Sequence, residues 1–191
     1  MFGFSRGAYT VRSLAGMIAT CGLPTGAFTD DCVTQAFAAY LDPMKRTSIL
    51  AGLGACGLRD VTIKMLGVWD TVGSLSIPTI FSGVEENKYG FLDTSLHPDI
   101  KNAYQSMKQA QFPATLWTSK PVGGQTIEHV WFSGCHGDMG GGTALAGGVD
   151  AGTCLCDITM GRMVAKSQAL GLTFDPAAAA QCGTLPAKVR S

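Results

Sequence analysis

A chain of 191 residues is long enough for one domain with a sizeable core. Only 15% of its residues are charged and 14 basic residues balance 14 acidic ones, which leaves no electrostatic grip for nucleic acid. No apolar run reaches the ~20 residues that span a bilayer, and no basic segment followed by an apolar one opens the chain as a secretory signal would. With 46% of its residues hydrophobic, the chain is short of charge even for a soluble domain, where about 25% is usual. That shortage predicts a surface partly covered by further chain or by a partner.

In chain order, residues 1–4 read as the end of a buried strand. Immediately after Ser5 the period changes: Val11, Leu14, Ala15 and Ile18 share one helical face, and the run stops at Gly22 with Pro24 beyond. A second helix is predicted over 31–40, with Thr29 or Asp30 as its cap. Residues 43–57 carry no clear pattern, although Gly52, Gly54 and Gly57 spell G-x-G-x-x-G. A dinucleotide loop follows a strand and opens a helix, whereas here a strand begins soon after Gly57, so that reading is set aside. Residues 61–69 (VTIKMLGVW) are rich in β-branched and apolar types and read as a central strand ending at Asp70. Gly, Ser, Pro and Asn then mark 71–99 as a long excursion above the sheet.

Residues 100–111 are predicted helical, stopped by Pro113. A further strand is expected over 127–132, followed by a glycine-rich loop over 134–142. Asp157 is expected to cap a last helix running to Leu170, with Gly171 at its C′ position. From Pro176 the alanine run and Pro186 predict a loose tail, which divides the chain into a domain over 1–175 and a tail over 176–191. Strand alternating with helix predicts an α/β fold, a mostly parallel sheet with flanking helices.

The seven cysteines (21, 32, 56, 135, 154, 156 and 182) are odd in number, irregularly spaced and contain no Cys-x-x-Cys. They read as small buried hydrophobes of a reducing compartment rather than a disulfide framework. Cys154 and Cys156 alone are a weak metal signal, so no metal and no cofactor are predicted.

Residues 3–7 read Gly-Phe-Ser-Arg-Gly, which is G-x-S-x-G between a strand and a helix. A sharp strand-to-helix turn would strain the serine backbone, and Gly3 and Gly7 would remove Cβ atoms that collide there. The helix N-terminus would then lie beneath Ser5, with the backbone N–H of Arg6 facing a developing oxyanion. The bland alternative is a glycine-flanked helix start with Ser5 as an ordinary N-cap.

A serine hydroxyl needs a base, and the base needs an orienting acid. In this kind of fold the order is Ser, then Asp or Glu, then His, each at a strand end. Of His97, His129 and His136, only His136 lies just past a predicted strand, and Asp70 ends the most convincing one. Asp138 is a rival acid, but two residues from His136 it suits holding the loop, by receiving backbone N–H groups or pairing with Arg6. Cys135 as a nucleophile is discounted, because adjacent side chains on an extended loop point apart.

The strings GFSRGAYTVRSLAGMI, LGVWDTVGSL, FPATLW and VWFSGCHGDMGGG, with a following LCD, resemble the catalytic domain of type VI secretion phospholipase effectors. The resemblance runs from Phe2 to about Asp175. It implies an α/β-hydrolase-like fold, with Ser5, Asp70 and His136 as a triad that hydrolyses carboxylic esters through an acyl-enzyme, without a cofactor. Membrane phospholipids are the implied substrate, with contact at a membrane surface. Synthesis in the cytoplasm and export through the secretion apparatus are implied as well. So are upstream strands, one bearing Asp-Gly-Thr near the oxyanion site. The chain opens almost on the elbow, so these N-terminal strands are expected to be missing. The stretch NAYQSMKQAQ is shorter than the family pattern and lacks its acidic residues. These departures support a second reading, an inactive hydrolase-like fragment serving as an interaction module.

Overall fold

Three apolar residues and one sharp turn start the fold. β1 (Phe2–Phe4) is extended and α1 (Arg6–Cys21) begins one residue after Ser5, where the sequence period changes. The computed structural model describes residues 1–26, 29–72, 95–109, 116–141 and 155–181. Beyond α1 come the two-residue strand β2 (Leu23–Pro24), α2 (Asp30–Leu41), α3 (Arg46–Gly52), a 3₁₀ turn (Leu53–Cys56) and β3 (Leu58–Arg59). β4 (Leu66–Trp69), β5 (Asn102–Lys108), β6 (Thr126–Phe132), α4 (His136–Gly140), α5 (Leu155–Ala169) and α6 (Pro176–Gln181) complete it.

The main sheet has the order β1-β4-β5-β6, and every described pairing in it is parallel. Helices cover both faces, so the central strands are buried on each side, as parallel strands require. Leu66, Val68 and Ala103 pack with Ala8 and Ala15 of α1 on one face. Met65, Trp69 and Tyr104 pack with Met139 of α4 and Met163 of α5 on the other. This is the α/β fold with a mostly parallel sheet that the alternation of patterns predicts.

β5 is a correction. Residues 100–111 hold three Gln, two Ala, two Lys and one Met, and Ile100, Tyr104 and Met107 fall at helical spacing, which favours a helix by propensity. Within it Asn102–Lys108 is instead a strand between β4 and β6, with Ala103 to Met107 all buried, while residues 110–111 lie outside the described residues. Tertiary pairing on both edges overrides a local preference worth only tenths of a kcal/mol per residue. The strand ending at Trp69 is also shorter than 61–69, with an isolated parallel bridge at Ile63. The glycine-rich stretch after β6 opens with a single helical turn, α4, rather than a plain loop.

Elsewhere the punctuation reads as expected. Thr29 caps α2 by accepting from the Cys32 N–H. After α5, Gly171 at φ +88° donates to the Gln168 carbonyl and Leu172 donates to Ser167, closing the expected C′ motif. α5 begins two residues before Asp157, which therefore sits in its first turn, where its charge suits the helix dipole, rather than at the cap. Residues 176–181 form α6 instead of a loose tail, because Asp175 accepts from the Ala177 and Ala178 N–H groups. The rest of that predicted tail, most of the 71–99 excursion and part of FPATLW lie outside the described residues.

The cysteines give a second correction. α2 and the 3₁₀ turn fold into one cluster with Ala36, Ala39 and Leu53, which brings the Cα atoms of Cys32 and Cys56 to 6.5 Å, and the two are joined in a disulfide. Cys156 is disulfide-bonded as well, whereas Cys21 is a buried free thiol and Cys135 an exposed one. Gly52, Gly54 and Gly57 lie where α3 runs into the 3₁₀ turn and β3, the reverse of the strand-to-helix order a dinucleotide loop needs. Among the described residues no helix is long and apolar enough to cross a membrane.

Candidate active site

The turn between β1 and α1 holds Ser5 at φ +56°, a region that side chains other than glycine rarely adopt. Pairing on both sides imposes it: the Ser5 N–H donates to Trp69 of β4, and the Ser5 carbonyl accepts from Ala8 and Tyr9 of α1. Gly3 is required by space, because a Cβ there would lie 2.4 Å from the Gly7 carbonyl oxygen. Gly7 differs from expectation. Beyond its chain neighbours and the backbone of its own helix, a Cβ at Gly7 would meet no described atom within 4 Å, so what the turn uses at that position is the carbonyl that Gly3 approaches.

Ser5 makes no side-chain cap bond to α1, which sets aside the N-cap alternative. Its Oγ lies 2.8 Å from His136 Nε2, and His136 Nδ1 lies 2.6 Å from Asp70 Oδ2. A carboxylate can only accept, so Nδ1 carries the ring proton and Nε2 accepts from the Ser5 hydroxyl. The three residues stand past the ends of β1, β4 and β6, which parallel pairing brings to the same edge of the sheet. Asp70 is buried, with 1% of its side chain exposed, while His136 is 35% exposed and opens the row to solvent. Arg6 is the first residue of α1, so its N–H belongs to the first turn, where backbone donors have no intrahelical acceptor.

Asp138 caps the start of α4. Its Oδ2 accepts from the Cys135 N–H at 2.6 Å, closing a reciprocal cap in which the Cys135 side chain accepts from the Asp138 N–H. This cap turns the Cys135 thiol into α4 while His136 reaches toward Ser5. The other histidines are elsewhere: His97 accepts from the Asp99 N–H, and His129 accepts from the Trp117 N–H on the α1 face.

Two neighbours escape the sequence reading. The Phe4 ring packs on the His136 ring at 4.6 Å between centroids. Lys108, at the end of β5, lies 3.7 Å from Asp70 Oδ2. Reading 100–111 as a strand would have exposed the second, since a lone lysine ending a buried strand next to the Asp70 strand invites the question of its counter-ion. Among the described residues no group of three His, Cys, Asp or Glu side chains is placed to hold a metal ion, and Cys154 lies outside them.

A serine at a strained strand-to-helix turn, with a histidine and a buried carboxylate in line, is a geometry that sequence relationships can test. The family model for the Tle1-like phospholipase effector catalytic domain of type VI secretion matches residues 1–166. The chain belongs to this family. Neither a curated protein nor a solved structure matches it. Membership makes this a phospholipase effector catalytic domain, a hydrolase-like domain whose substrate class is lipid.

Proposed function

We propose that the chain is a serine-dependent carboxylic ester hydrolase that cleaves phospholipid acyl esters through Ser5, His136 and Asp70. The observation that carries the reading is the continuous row from Ser5 Oγ through the imidazole to Asp70, with contacts of 2.8 and 2.6 Å. Ser5 Oγ attacks the ester carbonyl carbon while its proton passes to His136 Nε2. The tetrahedral oxyanion receives the Arg6 N–H at the start of α1, and Asp70 steadies the imidazolium. The oxyanion collapses, the ester C–O bond breaks, and the leaving alcohol oxygen takes the proton from Nε2. Water then attacks the acyl-enzyme by the same route in reverse, returning the Ser5 hydroxyl and releasing a fatty acid. Residues 1–175 form the catalytic unit in this reading, and the substrate is met at a membrane surface after export.

The test is labelling with a serine-directed fluorophosphonate and mass-spectrometric mapping of the modified peptide. Label on Ser5, absent from Ser5→Ala, is the expected result. Label on exposed Ser133 in the parent would overturn the assignment. A folded chain that takes no label would favour the non-catalytic interaction module.

A further inference from the structure

β5 is neutral from Ala103 to Met107 and then ends on a cation. Side chains alternate along a strand. Tyr104, Ser106 and Lys108 share the face covered by α4 and α5, since Tyr104 packs with Met139 and Met163 and the Ser106 hydroxyl meets Arg162 of α5. β5 pairs with β4 so that Ser106 lies opposite Trp69 and accepts from the Asp70 N–H at 2.8 Å. The next same-face residue, Lys108, therefore arrives beside the Asp70 side chain. Its Nζ is 3.7 Å from Oδ2, and its own backbone N–H is 3.4 Å from Oδ1.

We propose that Lys108 is a positioning residue for this site: its ammonium is the counter-charge of the buried Asp70 carboxylate. Together with its backbone N–H, that ammonium fixes which way the carboxylate faces. The inference rests on reading Ser5, His136 and Asp70 as the catalytic row. A carboxylate that is 1% exposed has lost its water, and one imidazole N–H occupies only one of its several accepting positions. Lys108 is itself only 18% exposed, so solvent screens the pair weakly.

The described groups facing Asp70 are His136 from α4, Lys108 from β5 and, beyond the imidazole, the Ser5 hydroxyl from the β1–α1 turn. Two further charged side chains are engaged elsewhere. Arg162 pairs with Glu128 at 3.0 Å, and Asp138 accepts from Cys135. Among the described residues, Lys108 is thus a cation in direct contact with the Asp70 carboxylate of the Asp70–His136 pair. Removing a positive charge makes proton uptake by that pair easier, and uptake disables the base.

The experiment compares the parent, Lys108→Met and Lys108→Arg over the full chain, with active-site concentration taken from phosphonate titration. Lys108→Met keeps most of the packing of the stem. It is expected to lower kcat on a short-chain ester about tenfold to a hundredfold with KM unchanged, and to move the acidic limb of the kcat/KM profile to higher pH. Lys108→Arg should restore kcat to within about threefold and return the limb. A parallel NMR titration of the His136 ring, in Ser5→Ala and in Ser5→Ala/Lys108→Met, reads the same pair without turnover. It should show the same upward displacement. An unchanged limb and an unchanged ring titration in Lys108→Met, with only a lower Tm, would overturn the proposal and leave Lys108 as packing. A parent that neither labels nor turns over removes the catalytic reading, and the ring titration still decides whether Lys108 governs the pair.

Discussion

The Phe4 ring lies against the His136 imidazole at 4.6 Å between centroids, and Gly140 makes room for it, because a Cβ at 140 would fall 2.5 Å from the Phe4 ring. A strand residue next to Ser5 and a helix residue past His136 therefore meet at one ring. The His136 ring is thus held by apolar packing as well as by its contacts to Asp70 and Ser5.

Gly140→Ala is expected to push the Phe4 ring, and with it the imidazole, out of line with Ser5. A displacement of about 1 Å can cost about 10²-fold in rate. Alanine also favours the helical turn of α4 by up to about 1 kcal/mol over glycine, so the protein should not lose its fold. The measurement is the second-order rate of phosphonate labelling in a cycle with Phe4→Leu. The alanine should cost much less once the ring is gone, and an equal loss in both backgrounds would rule out transmission through Phe4.

Asp70→Asn and Asp138→Asn separate the two acids near the base. Asparagine at 70 can donate toward Nδ1 and favour the wrong tautomer, so ester hydrolysis should fall by about three to four orders of magnitude. Asp138→Asn weakens one capping bond to the Cys135 N–H, worth about 1 kcal/mol of local stability, and should cost less than about tenfold in rate. Steady-state hydrolysis with circular dichroism as the folding control gives both numbers. The reverse ranking would make Asp138 the acid.

The elbow was legible because its determinants are local. Gly3, Ser5 and the apolar spacing of α1 lie within a few turns of chain, and steric demand at one turn selects them. His136 was legible for a related reason, since β6 announces its own end and only one histidine follows it. β5 was not legible, because its strand state comes from pairing with β4 and β6 rather than from Gln105, Ser106 or Lys108. Lys108 went unseen with it. The Cys32–Cys56 bridge was hidden as well: 24 residues separate the two, and only the folding back of α2 on the 3₁₀ turn brings them together. Gly7 shows the opposite failure, a motif residue whose expected steric role the neighbouring atoms do not require.

His129 makes stability depend on pH through a group remote from Ser5. Its Nε2 accepts from the Trp117 N–H at 3.2 Å, and its ring stacks on Trp117 at 5.5 Å, so the fold uses the neutral imidazole. Burial lowers its affinity for a proton, and the charges of Arg12 and Arg162 lower it further. The unfolded chain, whose histidines titrate near about 6.5, therefore binds more protons than the folded one once pH falls through that value. Stability from this group is present above the unfolded value and is lost as pH falls toward the lowered folded value. Thermal melts of the parent should show Tm dropping between pH 7.5 and 5.5. In His129→Gln the amide oxygen can still accept from Trp117 but no longer titrates, so its Tm should drop less over the same interval. Parallel Tm curves for the two proteins would mean that the acid sensitivity arises elsewhere.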